Sequence, residues 1–518
     1  MTTSTRLGAA LASALALAAP IPAAAQDPGA GSWRMVVLTS PAQIPVPPPA
    51  PAGSLTHLAE VASVKTAQAH ITDDQRKSVE YWSVGGAVRW MEIMMELVSR
   101  ADLPPAPRDD GTYPAPDPNN PFADPQFPFA NPPYAARAYS YVTTAQYEAL
   151  KVAWHYKYLY NRPSPAQADS GVQALVNTNG LPAYPSEDAV LSMVSAEILK
   201  LMFPASIELI TLKAGEQRQA AMLAGKATAS DIAAGAALGQ AVAAIFSGRA
   251  AADGMRNAAG SPPVWQAMAA AAQARGEIAW RSLESPPRPP MLPLFGQVRA
   301  WMMTPEDIVN ERPPAPPSTS SALMQAELAE VKHVVDNLSR EELAICHKWA
   351  DGVSTPTPPG HWNFIALPYL IDAKFSEVRA ARALSLLNMA MHDAGIGCWD
   401  AKFHYYNPRP SQLDPSIRTV TGLPNFPSYT SGHSTFSAAA AAVLSYLFPG
   451  GATYFHEQRD EAAISRLYGG IHYRSDIEVG VDHGVRIGGY TVAFARTDGA
   501  DDTASTTTAA SPFAQRRR

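Results

Sequence analysis

The same sequence unit occurs twice in this chain of 518 residues, and the second copy follows the first at a spacing of 245 residues. So many ordered matches at one spacing predict an internal duplication. A duplicated chain is expected to fold into two similar units related by a pseudo-twofold axis. The matches include Trp154 with Trp399, Lys157 with Lys402, Tyr184 with Tyr429, Phe203 with Phe448, and Ser230 with Ser475.

Each copy carries the pattern of a helical bundle. In the second copy, helical periodicity or alanine-rich runs cover residues 380–401, 434–447, 456–467 and 476–495. Four related segments of the first copy lie at about 140–157, 188–202, 214–224 and 230–247. Alternation of the strand type is scarce along the chain. We therefore predict an all-α protein built from two four-helix bundles.

Proline clusters and shifts in composition set the expected domain boundaries. The 48 prolines concentrate between the helical blocks, where proline breaks helices. The expected units are a signal peptide over 1–25, a Pro-rich leader over 26–75, the first bundle over 76–250, a Pro-rich connector over 251–330, the second bundle over 331–497, and a disordered tail over 498–518.

The first residues have the features of an export signal. Arg6 precedes an apolar stretch over residues 7–19, and an alanine triplet ending at Ala25 fits a cleavage site of small residues. We expect cleavage near Ala25 and a periplasmic or secreted mature protein without a membrane span. Cys346 and Cys398 could pair in such a compartment, and the sequence leaves that pairing open.

Three short motifs in the second copy supply the groups that hold and transform a tetrahedral oxyanion. They contribute three cations, two imidazoles, a hydroxyl and a glycine amide. Since the whole chain has a formal charge of −6, affinity for an anion must come from a local cluster of Lys and Arg. The motifs are Lys402-x6-Arg409-Pro410, Ser431-Gly432-His433 and Ser465-Arg466-x5-His472-x3-Asp476.

The spacing within these motifs predicts how the side chains are presented. Ser431 and Gly432 precede an alanine-rich helix, and a helix N-terminus favours an anion. Two glycines after Arg466 allow the chain to turn, so that Arg466 and His472 face one point. Asp476, four residues after His472, is expected to accept a hydrogen bond from the imidazole and fix its tautomer.

The first copy lacks the reactive groups. Glu187 and Asp188 replace the Gly-His pair of the second motif, and alanines replace Arg466 and His472. Two carboxylates thus stand where an anion would be held. We therefore expect the first unit to be a structural partner and the second unit to carry the only site.

The three motifs, in this order, resemble the signature shared by type 2 phosphatidic acid phosphatases, bacterial class A acid phosphatases and vanadium-dependent haloperoxidases. The signature spans Lys402 to Asp476, and Thr430 departs from it because a proline usually precedes Ser-Gly-His. Trp399 and the segment 426–436 are similar to the bacterial chloroperoxidase branch. Those enzymes are built from two four-helix bundles, as the duplication predicts here.

The resemblance implies a role for each motif residue, with vanadate as the cofactor. Asp476 is placed among the catalytic residues because it orients His472. The implied reaction is the oxidation of halide by hydrogen peroxide. By that resemblance His472 would ligate vanadium, His433 would be the acid–base group, and the vanadate oxygens would be bound by Lys402, Arg409, Ser431, Gly432 and Arg466.

The same atoms support a second reaction. In the phosphatase relatives, the residue matching His472 attacks phosphorus to form a phosphohistidine, and the residue matching His433 protonates the leaving alcohol. Because vanadate and phosphate share shape and charge, a periplasmic acid phosphatase acting on phosphate esters is the alternative. A non-catalytic oxyanion-binding protein is a further one. The export signal, the duplication and Trp399 favour the haloperoxidase.

Several properties stay open at this stage. We expect no nucleic-acid partner. The halide, the organic substrate and the oligomeric state are not determined by the motifs.

Overall fold

A computed structural model describes residues 26–113, 128–178 and 180–500. Within these ranges the chain is helical and contains no β-strand, which confirms the all-α class. The helices are α1 (Leu55–Ala69), α2 (Asp73–Trp82), α3 (Gly86–Ala101), α4 (Pro132–Tyr160), α5 (Pro165–Ala168), α6 (Glu187–Met202), α7 (Ile207–Leu223), α8 (Ala229–Ala251), α9 (Pro262–Ala274), α10 (Pro305–Glu311), α11 (Ala322–Asp336), α12 (Arg340–Lys348), α13 (Thr357–Ala373), α14 (Glu377–Tyr405), α15 (Pro410–Leu413), α16 (Gly432–Leu447), α17 (Ala452–Tyr468) and α18 (Arg474–Ala495).

Two sets of helices recur at the spacing found in the sequence. Helices α4 and α14 each have 29 residues, start 245 positions apart, and end at a left-handed residue, Asn161 and Tyr406 respectively. Helices α6 and α16 have 16 residues each, and α7 and α17 have 17 each, again 245 positions apart. The recurrence supports the internal duplication, which remains an inference from matched positions.

A buried carboxylate on each long helix anchors an irregular segment against its unit. Glu148 of α4 accepts hydrogen bonds from the backbone amides of residues 36–38. Asp393, at the matching position of α14, accepts them from the amides of Trp301 and Met302. The leader and the connector are thus held on the bundles in the same way.

Helices α4 and α14 form the centre of the molecule. Most of their residues are buried on every face of the helix, as expected for core helices. They pack against each other, and Ser385 donates a hydrogen bond to Thr144 across the contact at 3.1 Å. Helix α14 therefore carries Trp399 and Lys402 into the interior.

Helix α18 crosses α16 at close range because glycines face that helix. A Cβ atom placed at Gly484 would collide with the carbonyl oxygen of Thr435, and one at Gly480 would lie 2.9 Å from the Cβ of Ser434. In the first unit, Gly235 of α8 packs against the start of α6 in the same way, since a Cβ atom placed there would collide with the carbonyl oxygen of Ser186. This contact places the start of α16, with the second motif, beside the start of α18, where the third motif ends.

Helices cross two of the expected domain boundaries. Helix α2 runs through the boundary at 75, and α11 runs through the one at 330. Each begins at a capping side chain, Thr72 for α2 and Ser321 for α11. A capped helix continues to its own stop, so proline content alone misplaced these boundaries. The leader also contains α1, and the connector contains α9 and α10.

The predicted tail begins too early in the sequence. Asp498 is buried and forms an ion pair with Arg382 of α14 at 2.7 Å. Its carbonyl also accepts a hydrogen bond from the amide of Arg34. The polar composition of the tail did not indicate that Asp498 pairs with Arg382, because Arg382 lies more than a hundred residues away in the sequence. The predicted signal peptide over 1–25 and the part of the predicted tail from 501 onward lie outside the described residues.

One helical region is long and apolar enough to cross a membrane by length and composition. It covers Ala229–Asn257 and includes α8. Gly235 brings α8 directly against α6, and 39% of its most apolar window is buried inside the protein.

Replacing Gly484 by alanine should destabilise the protein by about 1–3 kcal/mol, the usual cost of overpacking a tight contact. The added methyl group would meet the backbone of α16 and not a flexible side chain. Gly489 is the matched control, since it lies on the same helix with no atom within 4 Å of its Cβ position. Gly489→Ala should be neutral or stabilising by up to about 1 kcal/mol. Urea unfolding measures both variants, and equal stabilities would contradict the packing described.

Candidate oxyanion site

The first two motifs meet at the start of helix α16. Lys402 lies in the last turn of α14, and Arg409 is the N-cap of α15 just after it. Ser431 is the N-cap of α16, and its hydroxyl accepts a hydrogen bond from a first-turn amide at 3.3 Å. Gly432 opens the helix, and the nearest atom to a Cβ placed there is 3.9 Å away, on Trp399. A Cβ atom at this position would make ordinary van der Waals contacts and no clash.

The third motif turns back toward the same point. Helix α17 ends at Tyr468, and Gly470 follows with φ of +71°, a conformation that favours glycine. This turn places Arg466 in the last turn of α17 and His472 in the short connection to α18. Asp476 lies in the first turn of α18, as the spacing predicts.

Both imidazole nitrogens of His472 have partners. Nδ1 donates to Oδ2 of Asp476 at 2.8 Å, and Nε2 accepts from Nη1 of Arg409 at 2.9 Å. The Ser428 hydroxyl donates to the same Asp476 oxygen at 2.5 Å. These contacts select the tautomer with hydrogen on Nδ1, which leaves the Nε2 lone pair facing the cations.

Charge and burial keep His472 neutral. Burial, followed by the positive charges of Arg409 and Lys402, lowers the pKa of His472 well below its usual value. Arg466 and His433 contribute in the same direction. The other charged groups of the three motifs thus act on one imidazole. Burial also raises the pKa of Asp476 to about 6.

Lys402 is wholly buried and bonded to backbone alone. Its ammonium donates to the carbonyl oxygens of Pro427 at 2.9 Å, Ser428 at 2.7 Å and Thr430 at 2.5 Å. These bonds satisfy its three donors. Burial lowers the pKa of Lys402 to about 7.

The two arginines also bond to carbonyl oxygens. Arg409 donates to Ile471 at 2.8 Å and to Phe426 at 3.1 Å. Arg466 donates to the carbonyl of Trp349. Burial lowers the pKa of Arg409 to about 10 and lowers that of Arg466 as well. Among the described residues, no carboxylate lies within ion-pair distance of either arginine or of Lys402.

The matching region of the first unit has its charges neutralised. Lys157, the counterpart of Lys402, pairs with Glu187 at 2.8 Å. Lys226 pairs with Glu187 at 2.8 Å and with Asp188 at 2.5 Å. Carboxylates of the protein thus take the place that an external anion would take in the second unit.

A second pair of histidines shares one carboxylate at the edge of the site. Nε2 of His433 lies 3.5 Å from Oδ2 of Asp351, and Nδ1 of His361 lies 3.0 Å from Oδ1 of the same residue. The His361 ring stacks on Trp349 with 4.1 Å between centroids. Burial and the charge of Arg466 lower the pKa of His433 to about 4, against the opposing effect of Asp351. His433 is therefore neutral near pH 7.

The residues present fit a tetrahedral oxyanion such as vanadate or phosphate. Arg409 contacts Nε2 of His472, and the charges of Lys402 and Arg466 also lower the pKa of this imidazole. The N-terminus of α16, which favours an anion, carries the second motif. Within the described ranges, no group of three or more His, Cys, Asp and Glu residues could hold a bare metal cation. The site suits a metal carried as an oxyanion, held by cations and one imidazole.

Sequence reasoning missed several contributors to this site. Ser428 touches both Asp476 and His472, although it lies outside the three motifs. Asp351 and His361 lie far upstream of His433, and no spacing signal links them to it.

The two cysteines do not form a disulfide bond with each other. Cys398, one turn before Lys402 on α14, and Cys346 on α12 are both buried free thiols.

Comparisons with known proteins support the superfamily and the fold. Residues 382–499 match the family model described as the PAP2 superfamily. Among curated proteins, none has significant similarity to the chain. The crystal structure of the first bacterial vanadium-dependent iodoperoxidase aligns with a TM-score of 0.57 and 22% identity, over 78% of this chain and 95% of that one.

Two chloroperoxidase structures are also similar. The holo-type bacterial vanadium-dependent chloroperoxidase aligns with a TM-score of 0.51 and 14% identity, over 74% of this chain and 96% of that one. The apo-type structure of a bacterial vanadium-dependent chloroperoxidase aligns with a TM-score of 0.51 and 14% identity, over 71% of this chain and 96% of that one. The fold is therefore that of the vanadium-dependent haloperoxidases, and the superfamily predicted from the motifs is confirmed.

Binding of a tetrahedral dianion should weaken as the pH rises above about 7, because Lys402 loses its proton there. An anion binds the charged form, so affinity should fall by up to about tenfold per pH unit above this value. Tungstate is a suitable probe, since its own charge is constant between about pH 6 and about pH 9. Calorimetric titration of the full chain measures the effect. Lys402→Met should weaken binding and remove the pH dependence, and a pH-dependent variant would contradict the assignment.

Proposed function

We propose that this protein is an exported oxyanion-site enzyme, a vanadium-dependent haloperoxidase-like oxidoreductase that uses hydrogen peroxide to oxidise halide. One observation carries the proposal. Lys402, Arg409 and Arg466 are buried around the lone pair of His472 without a carboxylate partner among the described residues. In the first unit, Lys157, the counterpart of Lys402, is neutralised by Glu187. The hydrogen bonds of these cations are made to uncharged carbonyl oxygens, so an external anion would supply the charge compensation that carboxylates supply in the first unit.

The structural relatives favour vanadate as that anion. The similar structures are an iodoperoxidase and a chloroperoxidase, both described as vanadium-dependent, and this chain covers at least 95% of each. Export to the periplasm or beyond, expected from residues 1–25, belongs to the same proposal. When bound, vanadate supplies the centre at which hydrogen peroxide is activated toward halide.

The chain's own residues divide the remaining work. We assign the oxyanion oxygens to Arg409, Arg466 and the first amides of α16. Lys402, whose three donors are bonded to carbonyl oxygens, would exchange one of these bonds to contact the anion and otherwise contributes its charge. His472 presents Nε2 to the central atom, and Asp476 keeps the hydrogen on Nδ1. This requires a neutral imidazole, which burial in a positive environment provides.

His433 is proposed to move protons at the site. Because its pKa is lowered to about 4, it is a neutral imidazole near pH 7 and can accept a proton. Asp351 lies 3.5 Å from its Nε2, where the negative charge stabilises the imidazolium that results. His361 lies 3.0 Å from the other carboxylate oxygen of Asp351. We assign His433 the acid–base role, with Asp351 as its positioning residue.

The alternative is an acid phosphatase that acts through a phosphohistidine. The matched family model describes the PAP2 superfamily, and a neutral His472 with an oriented Nε2 is also a competent nucleophile. In that reaction His433 would protonate the leaving alcohol. A non-catalytic oxyanion-binding protein would need the cations but neither imidazole.

The purified full chain should oxidise bromide with hydrogen peroxide only when vanadate is added. The reason is that the protein supplies the anion pocket and the acid–base group but no redox centre of its own. Halide oxidation is followed in parallel with hydrolysis of a phosphate monoester. Ester hydrolysis without bromide oxidation would select the phosphatase instead. Tungstate binding with neither activity would select the non-catalytic binder.

The two histidines should separate in binding and in rate. His472→Ala should abolish turnover and weaken vanadate binding, because the bond to the central atom is lost. His433→Ala should lower the rate by about 10²–10⁴-fold, while much of the affinity for vanadate remains through the three cations. Calorimetric titration with vanadate and steady-state kinetics of both variants test this. Equal and complete loss of vanadate binding in the two variants would show that the roles are wrongly assigned.

A further inference from the structure

One loop of the second unit touches both the oxyanion site and the first unit. It covers residues 349–357, between helices α12 and α13. On the side of the site, the carbonyl oxygen of Trp349 accepts a hydrogen bond from Arg466. Two residues later, Oδ2 of Asp351 lies 3.5 Å from Nε2 of His433. The loop therefore contacts both a cation of the site and the residue proposed to move protons there.

The first unit holds the opposite side of this loop with two hydrogen bonds. The hydroxyl of Tyr139, on helix α4, donates to the carbonyl oxygen of Pro356 at 3.1 Å. The backbone amide of Ser354 donates to the carbonyl oxygen of Asp102, the C-cap of α3, at 2.9 Å. Because Tyr139 is wholly buried, water does not compete for its hydroxyl. Two helices of the first unit thus anchor a loop of the second.

The backbone of the loop is strained at three residues. Asp351, Ser354 and Thr357 have φ of +42°, +63° and +63°, in the left-handed region that favours glycine. Thr357 tolerates this conformation least, because its side chain is branched at Cβ. In the rest of the described chain, left-handed non-glycine residues occur one at a time, as at the helix ends Asn161 and Tyr406. Surrounding contacts must hold such a loop in place, since the chain alone would relax.

The anchored end of the loop is tied to Asp351 in two ways. The hydroxyl of Thr355 donates to the carbonyl oxygen of Gly352 at 2.7 Å, which closes the turn between Asp351 and Pro356. Nδ1 of His361, near the start of α13, lies 3.0 Å from Oδ1 of Asp351. A shift at Pro356 would therefore reach the carboxylate both along the turn and through the helix.

We infer that the first unit positions the acid–base group of the second unit. The hydroxyl of Tyr139 holds the strained loop, and the loop holds the carboxylate of Asp351 against His433. Tyr139 is thus a positioning residue that acts through the loop, and the first unit contributes to the site although it has no site of its own. The acid–base role of His433 rests on the proposed function, whereas the placement of the loop does not.

Tyr139→Phe tests the anchor, because it removes the hydroxyl and keeps the ring. Without the bond, part of the population relaxes the loop and Asp351 leaves His433. Bromide oxidation with vanadate should therefore slow about fivefold, the change expected from one hydrogen bond. In the full chain carrying isotope-labelled histidine, the Cε1–H NMR signal of His433, assigned by its loss in His433→Ala, should shift. A merely structural role would lower stability and leave this signal in place.

Tyr134→Phe is the matched control. Tyr134 lies on the same helix, and its hydroxyl also donates to a backbone carbonyl, that of Met202 at 2.6 Å, within the first unit. Urea unfolding should show a similar loss of stability in both variants, whereas the control should keep the parent rate and the parent His433 signal. An equal shift of that signal in the two variants, or no change in Tyr139→Phe, would overturn the inference.

A second substitution tests the strain. Glycine adopts a φ of +63° without strain, so Thr357→Gly should make the anchor less necessary. In that background, Tyr139→Phe should slow bromide oxidation by less than about twofold. An equal loss of rate in both backgrounds would show that Tyr139 does not act by holding a strained loop, and it would overturn the inference.

The proposed function and this inference fail separately. If the parent chain oxidises no halide, the function is rejected, and the His433 signal, measured without vanadate, halide or peroxide, still tests the loop. If the parent chain oxidises bromide while Tyr139→Phe keeps both its rate and its His433 signal, the function stands and the inference is rejected.

Discussion

Backbone carbonyl oxygens balance the buried cations, and the site depends on that balance. The ammonium of Lys402 makes three bonds to the loop 426–430, so its donors are satisfied without a negative partner. Burial of a charge is tolerated when its hydrogen bonds are complete. Because carbonyls carry no net charge, the positive charge persists. The same bonds hold this loop against α14, and the loop leads directly into Ser431, the N-cap of α16. One set of contacts therefore positions both the cation and the helix N-terminus.

The two units share one helical arrangement but differ in how their buried lysines are bonded. The long helices have equal length and matching ends, and a glycine contact brings α8 to α6 as another brings α18 to α16. In the first unit, Glu187 and Asp188 neutralise the lysines within the protein. In the second unit, glycine and histidine occupy those positions, and the cations bond to uncharged carbonyl oxygens. The two units therefore differ at the helix N-terminus as well as at Arg466 and His472, which alanines replace in the first unit.

The environment of the two site histidines explains why both are neutral near pH 7. Each is buried in the field of arginines, which disfavours the imidazolium. The carboxylates beside the two histidines make different contacts with them. Asp476 bonds to Nδ1 of His472 and orients its lone pair, whereas Asp351 faces Nε2 of His433 across a longer distance and leaves that nitrogen able to take a proton. The two environments therefore fit the roles proposed for the histidines, a fixed ligand for His472 and a proton carrier for His433.

Local sequence determined the helices, their ends and the three motifs, because periodicity, capping residues and glycine turns act over a few positions. It therefore placed Lys402 at the end of one helix, Ser431 and Gly432 at the start of the next, Arg466 near the end of a third and Asp476 at the start of a fourth, as found. Arg409, predicted in the loop after the first of these helices, is the N-cap of α15, and His472 lies in the connection between α17 and α18. Only the tertiary structure decided that Asp351 faces His433, that Ser428 bonds to Asp476, and that Asp498 pairs with Arg382. Contacts of this kind depend on how distant helices pack. No local pattern encodes them, since each requires only that a side chain of the right charge reaches a buried partner.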